Sequence, residues 1–240
     1  MKELIQARQI SKHYGALQVL SEVQLEVAEQ EIVAIVGPSG AGKTTLLHIL
    51  GTLDQPDKNP STSLTIDGQN TVQMSDKVLA AFRNKNLGFV FQFHELLPEF
   101  TALENICIPA WIAGTPKPVA AEKALELLAT FGLSDRAAHK PTALSGGEQQ
   151  RIAVARALIN NPKIIFADEP SGNLDSENAA HLHELFFQLR EERKCSFVIV
   201  THNESLANRA DRKIVLKDGK IIAWKKPLYK PFSMKNHSNT

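Results

Sequence analysis

The chain has 240 residues, 43% hydrophobic and 22% charged, which is enough apolar material for one large α/β domain or for a core with an inserted subdomain. Its formal net charge of +1 gives no bulk electrostatic attraction to nucleic acid. Two cysteines exclude a disulfide framework and suit a reducing compartment, and we find neither a signal peptide nor a run of about 20 apolar residues that could span a membrane.

Short β-branched runs near the N-terminus, such as residues 4–10 and 23–27, predict a small antiparallel sheet. Between them, residues 11–15 have the composition of a turn and include Tyr14. The face of the Tyr14 ring could stack on a nucleotide base, or the ring could pack on the edge of the sheet. Spacing alone favours neither alternative.

Residues 37–45 fit the phosphate-binding loop pattern G-x-x-x-x-G-K-[ST]. An apolar strand at 31–36 precedes the loop and a helix at 45–50 follows it, which is the context in which such a loop binds phosphate. We predict that its backbone N–H groups surround the β- and γ-phosphates, that Lys43 reaches the same phosphates, and that the Thr44 hydroxyl ligates Mg²⁺. The predicted nucleotide-binding residues of the loop are Gly37, Pro38, Ser39, Gly40, Ala41, Gly42, Lys43, Thr44 and Thr45.

The next part of the chain changes from strands to helices. In order, we predict a polar loop at 54–63, a strand and turn at 64–68, a buried strand at 87–91 that ends at Gln92, and helices at 119–131 and 148–159. Residues 93–160 are therefore predicted to form a mostly helical insertion. We expect Pro109, Pro116 and Pro118 to break its middle into loops.

Polar residues follow further apolar strands. Asp168 and Glu169 end a strand that begins at residue 163, and His202 ends a strand that begins at residue 196. We predict that Asp168 holds Mg²⁺ through water, that Glu169 acts as general base on the attacking water, and that His202 donates to the γ-phosphate. Gln92 can bridge Mg²⁺ and the water as a neutral ligand. Strand ends of a mainly parallel sheet share one edge, which would bring these residues together.

The C-terminal part contains Asp218-Gly219 between strands at 213–216 and 220–223, a pattern typical of a type I′ hairpin. Strands and helices that alternate in this way favour a mainly parallel sheet. The remaining segment, residues 225–240, is a basic tail with four lysines.

A second phosphate-binding surface is predicted at Ser145, Gly146 and Gly147, which precede a helix and expose backbone N–H groups at its positive end. Because the helical insertion separates this segment from the phosphate-binding loop, one chain could not easily bring both to one nucleotide. We therefore expect two chains to pack head to tail with ATP between them, as a homodimer.

Together these residues resemble the ATP-binding cassette (ABC) family over nearly the whole chain. By resemblance, Tyr14 stacks on the base, residues 37–45 are the Walker A loop, Gln92 is the Q-loop, residues 144–149 are the signature motif, residues 164–169 are Walker B and His202 is the switch histidine. Residues 171–175 resemble the D-loop, which communicates across the dimer, and the resemblance places Asp175 among the nucleotide-binding residues. The resemblance implies a P-loop NTPase with a RecA-like core, an N-terminal antiparallel β subdomain and an inserted α-helical subdomain. We expect one domain over 1–240, with 1–92 and 161–224 forming the core and 93–160 carrying the signature motif.

Residues 91–105 and the Gly-Asn-Leu-Asp form of the D-loop resemble the lipoprotein-releasing subfamily, with MacB-type efflux and FtsE-type cell-division ATPases as relatives. This implies an ATPase at the cytoplasmic face of the inner membrane, held there by integral permease subunits (LolC/LolE-like). The apolar residues Phe93, Leu96, Leu97, Pro98 and Phe100 could form a groove for a permease helix or fill the core of the helical region. Thr62-Ser63 and Asn203 depart from the usual Ser-Gly pair and aspartate of the family.

Two other classes of protein fit part of the pattern. A soluble ABC ATPase that acts on nucleic acid or ribosomes usually has tandem cassettes or long coiled coils, whereas this chain has one cassette and no heptad run. A P-loop kinase would have no use for the Ser145–Gly147 segment.

Overall fold

Two β-sheets organise the computed structural model, which describes residues 2–225. In chain order the strands are β1 (Glu3–Tyr14), β2 (Leu17–Ala28), β3 (Ile32–Val36), β4 (Ser63–Ile66), β5 (Gln69–Asn70), β6 (Leu87–Val90), β7 (Ile164–Asp168), β8 (Ser196–Val200), β9 (Arg212–Lys217) and β10 (Lys220–Lys225). The smaller sheet has the order β2-β1-β4-β5 and the larger has the order β10-β9-β3-β8-β7-β6. The predicted tail, apart from residue 225, lies outside the described residues.

The smaller sheet is antiparallel, as the sequence predicts. The predicted turn at 11–15 is wrong in its extent, because β1 continues to Tyr14. Residues His13 and Tyr14 pair with Gln18 and Leu17 of β2, and the chain reverses only at Gly15, whose φ is 60°. Cross-strand pairing therefore overrides the turn composition of this segment.

The larger sheet is parallel from β9 to β6, and β10 alone runs antiparallel to its neighbour. The hairpin between β9 and β10 turns at Asp218 and Gly219, both with positive φ (48° and 72°), as a type I′ turn requires. Residues alternate between the two faces of the central strands, and each face has its own core. Val33 and Ile35 pack with the smaller sheet, whereas Ile32 and Ala34 pack with helices on the opposite face.

Seven α-helices complete the described part of the chain. They are α1 (Lys43–Leu50), α2 (Asp76–Asn86), α3 (Ala102–Ile112), α4 (Lys117–Thr130), α5 (Gly146–Leu158), α6 (Ser176–Arg193) and α7 (Glu204–Arg209). Helices α3 to α5 come between β6 and β7, where the sequence predicts helical structure. None of the helices within residues 2–225 combines the length and hydrophobicity that crossing a membrane requires.

Helix α3 corrects the prediction that Pro109 interrupts this region. Thr101 and Glu104 form a capping box at its start, and Pro109 lies inside the helix near its end. The proline removes one backbone donor, but its own carbonyl still accepts from Ala113 (3.1 Å) and from Asn84 (3.0 Å). Pro116 caps α4 and Pro118 lies in its first turn, so these two prolines start a helix instead of breaking one.

Candidate functional site

The larger sheet brings four predicted site segments to one edge. Strands β3, β8, β7 and β6 are adjacent and parallel, so their carboxyl ends lie side by side. The phosphate-binding loop follows β3, His202 follows β8, Asp168 ends β7 and Gln92 follows β6. This edge is where sheets of this class bind ligands.

The phosphate-binding loop is packed closely against neighbouring backbone. A Cβ atom at Gly37 would lie 2.0 Å from the carbonyl oxygen of Leu216, and one at Gly42 would lie 2.8 Å from that of Val19. Both glycines also have positive φ, 154° and 95°. Glycine at these two positions is thus required by the fold of the loop itself, in addition to any approach of a phosphate.

The loop residues differ in exposure. Pro38, Ser39 and Gly40 are exposed at its tip, Ala41 is buried and Thr45 is partly buried. The backbone of Ala41 is fixed at both ends, since its N–H donates to Pro38 O (3.2 Å) and its carbonyl accepts from Gly219 N (3.2 Å). The exposed tip therefore stands on a fixed base.

Lys43 begins α1, and its side chain folds back across the loop. Its Nζ donates to the carbonyl oxygens of Gly37 (3.0 Å) and Pro38 (3.1 Å), and only 7% of the residue is exposed. An ammonium group has three donors, so one donor remains for a ligand bound within the loop. Lys43 thus places a positive charge beside the N-terminus of α1.

Thr44 and Asp168 meet across the edge of the sheet. The Thr44 hydroxyl donates to Asp168 Oδ1 at 3.3 Å, although 124 residues separate the two in sequence. A hydroxyl and a carboxylate are oxygen donors of the kind that Mg²⁺ prefers. The pair lies at the start of α1 and at the end of β7, next to the phosphate-binding loop.

Glu169 and His202 contact each other at the ends of β7 and β8. The backbone N–H of His202 donates to Glu169 Oε2 (3.0 Å), and His202 Nε2 lies 3.2 Å from Glu169 Oε1. The Oε1 atom is buried and makes no hydrogen bond with any residue that the structure describes. His202 Nε2 is close to this oxygen but forms no hydrogen bond with it, so Oε1 is available to accept a proton from water. The Glu169 side chain is 17% exposed, whereas that of His202 is 56% exposed.

Gln92 lies against the predicted D-loop. Its carbonyl accepts from Asn173 Nδ2 at 3.0 Å, and a Cβ atom at Gly172 would lie 3.1 Å from Gln92 Nε2. Asn173 could not be recognised from the sequence as a partner of Gln92, because the contact joins two loops 81 residues apart. The segment after Gln92 is held by Arg156 of α5, which donates to the carbonyl oxygens of His94 (2.7 Å) and Glu95 (2.5 Å).

A capping box shapes the Ser145–Gly147 segment at the start of α5. Ser145 Oγ accepts from Glu148 N (3.3 Å), and Glu148 Oε2 accepts from Ser145 N (2.8 Å). Arg136 Nε also donates to Glu148 Oε1 at 2.8 Å. These hydrogen bonds lower the pKa of Glu148 to about 2, and the bond from the Ser145 backbone has the largest effect. Glu148 is predicted from the sequence only as a member of the 144–149 motif, although the S-x-x-E spacing also indicates its role in a capping box.

Asp175 caps α6 and lies close to the same segment. Its Oδ1 accepts from the backbone of Asn178 (2.9 Å) and its Oδ2 from the Asn178 side chain (2.7 Å). The Asn178 side chain in turn faces Gly147, where a Cβ atom would lie 2.6 Å from Asn178 Oδ1. Asp175, exposed on the surface, is thus joined to the signature segment through one asparagine.

Tyr14 ends β1 and is 52% exposed. Its hydroxyl donates to Asp54 Oδ2 at 2.7 Å. This hydrogen bond is the largest cause that raises the pKa of Tyr14, and the nearby positive charge of Lys12 opposes it. The ring therefore lies at the end of β1, tied to Asp54 through its hydroxyl, with about half of the residue exposed.

A groove borders the segment after Gln92. A cavity of about 450 Å³ lies between β6, α2, α3 and α5, with Phe89, Phe91 and Ile112 on its apolar wall. Phe93 and Leu97 are exposed near it without lining it, and Leu96 packs against the core. The predicted apolar cluster is thus divided between the surface and the core.

Comparison with known proteins agrees with this geometry. The model of the family described as ABC transporter matches residues 20–172. The chain is 59% identical to the lipoprotein-releasing system ATP-binding protein LolD of Bacteroides fragilis, over 91% of this chain and 100% of that protein. It is 54% identical to the LolD of Cytophaga hutchinsonii, over 92% of this chain and 100% of that protein. Among solved structures, the ATP-binding cassette MJ0796 as a dimer with ADP and Pi has a TM-score of 0.85 and 39% identity, over 92% of this chain and 98% of that one. The predicted fold class is confirmed, and the chain belongs to the ABC transporter family of ATP-binding proteins.

Proposed function

We propose that this chain is the ATP-hydrolysing subunit of a transporter that releases lipoproteins from the bacterial inner membrane. The observation that carries the proposal is the edge of the larger sheet, where a phosphate-binding loop, a hydroxyl–carboxylate pair and a glutamate with one buried carboxylate oxygen lie together. The relatives named for lipoprotein release match more than nine-tenths of the chain, which supports the choice of this transporter class. In this proposal residues 1–240 act as one ATPase domain, with 93–160 carrying the signature segment.

Mg·ATP is the proposed substrate. Lys43 and the backbone N–H groups of the loop bind the β- and γ-phosphates, and Tyr14 stacks on the base. Thr44 and Asp168, with Gln92, would hold Mg²⁺. The described residues contain no cluster of three or more His, Cys, Asp or Glu side chains, so water and phosphate oxygens complete the ligand set, as Mg²⁺ commonly requires. When bound, the ion neutralises charge on the phosphates.

Glu169 is the proposed general base. A water molecule donates a hydrogen bond to Glu169 Oε1, which lies beside His202 Nε2, and attacks the γ-phosphorus. A proton of the water moves to the Glu169 carboxylate as the new bond from the water oxygen to the γ-phosphorus forms. The bond between the γ-phosphorus and the β-phosphate oxygen breaks at the same time. His202, held against Glu169 by its backbone N–H, donates to a γ-phosphate oxygen.

The proposed active form is a homodimer with two composite sites. Within residues 2–225, the hydrogen bonds of Ser145 and Glu148 go to each other and to neighbours outside the phosphate-binding loop. The N-terminus of α5 therefore keeps donors for a second nucleotide contact. We propose that the Ser145–Gly147 segment of a second copy closes over the γ-phosphate, with Asp175 at the junction of the two copies.

The groove at Phe89, Phe91 and Ile112 is the proposed docking site for a short cytoplasmic helix of the permease. Exposed Phe93 (71%) adds apolar surface beside it. A permease of the LolC/LolE type would hold the ATPase at the cytoplasmic face of the inner membrane as a peripheral subunit. Because Arg156 lines the groove and the lining residue Phe91 directly precedes Gln92, a shift of the docked helix can reach the nucleotide site.

The test uses the chain together with its permease in proteoliposomes that contain a fluorescent lipoprotein. ATP should cause release of lipoprotein to a soluble acceptor, and Glu169→Gln should abolish this release. Sedimentation should show that Glu169→Gln is trapped as a dimer with Mg·ATP bound. Lys43→Ala is the matched control that should neither trap ATP nor dimerise. ATP hydrolysis without lipoprotein release would overturn the proposed cargo, and absence of hydrolysis would overturn the proposed reaction.

A further inference from the structure

We propose that Asp54 is a positioning residue that fixes the Tyr14 ring in the orientation needed to receive the adenine base. This inference rests on the proposed function, because it assumes that Tyr14 contacts the base of ATP. It assigns a role to the beginning of the polar loop at 54–63, for which the sequence suggests none.

Asp54 has two partners on β1. Oδ2 accepts from the Tyr14 hydroxyl at 2.7 Å, and Oδ1 accepts from Lys12 Nζ at 2.7 Å. Lys12 Nζ also donates to Gln55 O at 2.7 Å and lies 5.1 Å from the centroid of the Tyr14 ring. One carboxylate thus joins the phenol, the ammonium group and the ring into a single arrangement.

Asp54 remains a carboxylate at neutral pH. Burial by itself raises its pKa, but the hydrogen bonds from Lys12 and Tyr14 outweigh burial and hold the pKa below its ordinary value. A charged acceptor strengthens the hydrogen bond from the phenol relative to a neutral one.

The backbone of Asp54 is attached to the end of α1. The N–H groups of Leu53 and Asp54 both donate to His48 O, at 2.8 and 3.2 Å. The same helix begins at Lys43, five residues before His48, which is about 7.5 Å along the helix axis. Through Asp54, the Tyr14 hydroxyl is therefore held at a fixed position relative to the helix that carries the phosphate site.

This connection matters because Tyr14 is otherwise weakly held. It is half exposed at the end of a strand and precedes the turn at Gly15, so its ring would lose rotamer freedom on binding a base. Because the hydroxyl is already fixed, the ring has less rotamer freedom left to lose when the base binds, so the entropy cost of binding is smaller. The benefit applies to ligands with a base and not to a triphosphate alone.

A second carboxylate on the same loop supplies a matched control. Asp57 Oδ2 contacts His13 Nδ1 at 2.6 Å, and the Asp57 N–H donates to Ser11 O at 2.9 Å. Asp57 therefore supports the same end of β1 but does not touch the Tyr14 hydroxyl.

The experiment measures dissociation constants of the full chain for Mg·ATP and for magnesium tripolyphosphate. Asp54→Ala should weaken ATP binding about 3- to 10-fold and change tripolyphosphate binding less than about 2-fold. Tyr14→Phe, which keeps the ring, should reproduce the loss, and the double variant should lose no more. Asp57→Asn should leave both affinities unchanged. In hydrolysis with the permease, Asp54→Ala should raise KM and leave kcat unaltered.

Equal weakening of both ligands, or unchanged ATP affinity in Asp54→Ala, would overturn the assignment. If Asp54→Ala does not fold, an unchanged ATP affinity in Tyr14→Phe overturns it instead. Failure of the proposed function is distinguishable, since a wild-type chain that binds neither ligand contradicts nucleotide binding itself. A wild-type chain that binds both ligands equally contradicts the base contact and this inference with it.

Discussion

Glu148→Gln should reduce the stability of the protein at neutral pH and should make that stability less dependent on pH. Glutamine keeps the shape of glutamate and can still accept from the Ser145 backbone, so the capping box survives while the charge is lost. The substitution therefore isolates the ionisation of one carboxylate at the start of α5.

The magnitude follows from the pKa of Glu148, about 2 instead of its ordinary 4.5. Without screening, this difference corresponds to about 3 kcal/mol of stability at neutral pH. The partner Arg136 is 43% exposed and Glu148 lies near the surface, so solvent screening reduces the expected contribution to about 1–2 kcal/mol. Because the pKa is lowered in the folded state, the contribution is present above about pH 5 and disappears as the pH falls toward 2.

Urea unfolding between pH 7 and pH 3 measures this effect. Glu148→Gln should be less stable than the wild type by about 1–2 kcal/mol at pH 7, and about 1 kcal/mol of that difference should vanish by pH 3. Glu122→Gln, on the exposed face of α4, controls for the change in net charge and should leave the profile unchanged. Two profiles for wild type and Glu148→Gln that stay parallel over this range would refute the reasoning.

Three further predictions test other parts of the protein. Lys43→Ala should weaken Mg·ATP binding at least about tenfold in an equilibrium titration, because the charge at the loop is lost, and wild-type affinity would contradict the assignment. Gly147→Ala should cost about 1–3 kcal/mol in urea unfolding because its Cβ meets Asn178, whereas Gly146→Ala, with open space around its Cβ, should cost little. Asn178→Ala should recover most of the loss in Gly147→Ala, and no recovery would count against the clash. Ile112→Glu, at an exposed residue that lines the groove, should keep ATP-driven dimerisation but lose stimulation of ATPase activity by the permease, so full stimulation would argue against the docking groove.

The position of the motifs along the sheet could be predicted from sequence because the sheet topology determines which strand ends lie side by side. A glycine-rich loop after one apolar strand, and carboxylates or a histidine after others, must meet once the strands are parallel and adjacent. The contact between Thr44 and Asp168 follows from this rule.

The partners of these residues could not be predicted in the same way. Tyr14 meets Asp54, and Gln92 meets Asn173, through loops whose paths depend on packing and not on periodicity. The burial of Glu169 Oε1 without a hydrogen bond likewise depends on the direction of one side chain.

The prediction of a break at Pro109 in α3 is wrong for a different reason, because a helix start is visible in the sequence. Thr101 and Glu104 have the spacing of a capping box, but Pro109 suggested a break. In the structure Ile106 and Ala110 are buried on either side of the proline, and their packing compensates for one missing backbone bond.

The central claim is that each ATP site combines the loop of one copy with the Ser145–Gly147 segment of another. Mixing Lys43→Ala with Ser145→Arg tests it most directly, since each variant alone should be inactive. When equal amounts of the two variants are assembled on the permease, which holds two copies together without ATP, random pairing makes about half of the pairs mixed. Each mixed pair has one intact composite site, so the account predicts recovery of about a quarter of wild-type ATPase activity. A mixture that remains as inactive as the separate variants, although affinity tags show that mixed dimers form, would contradict the account.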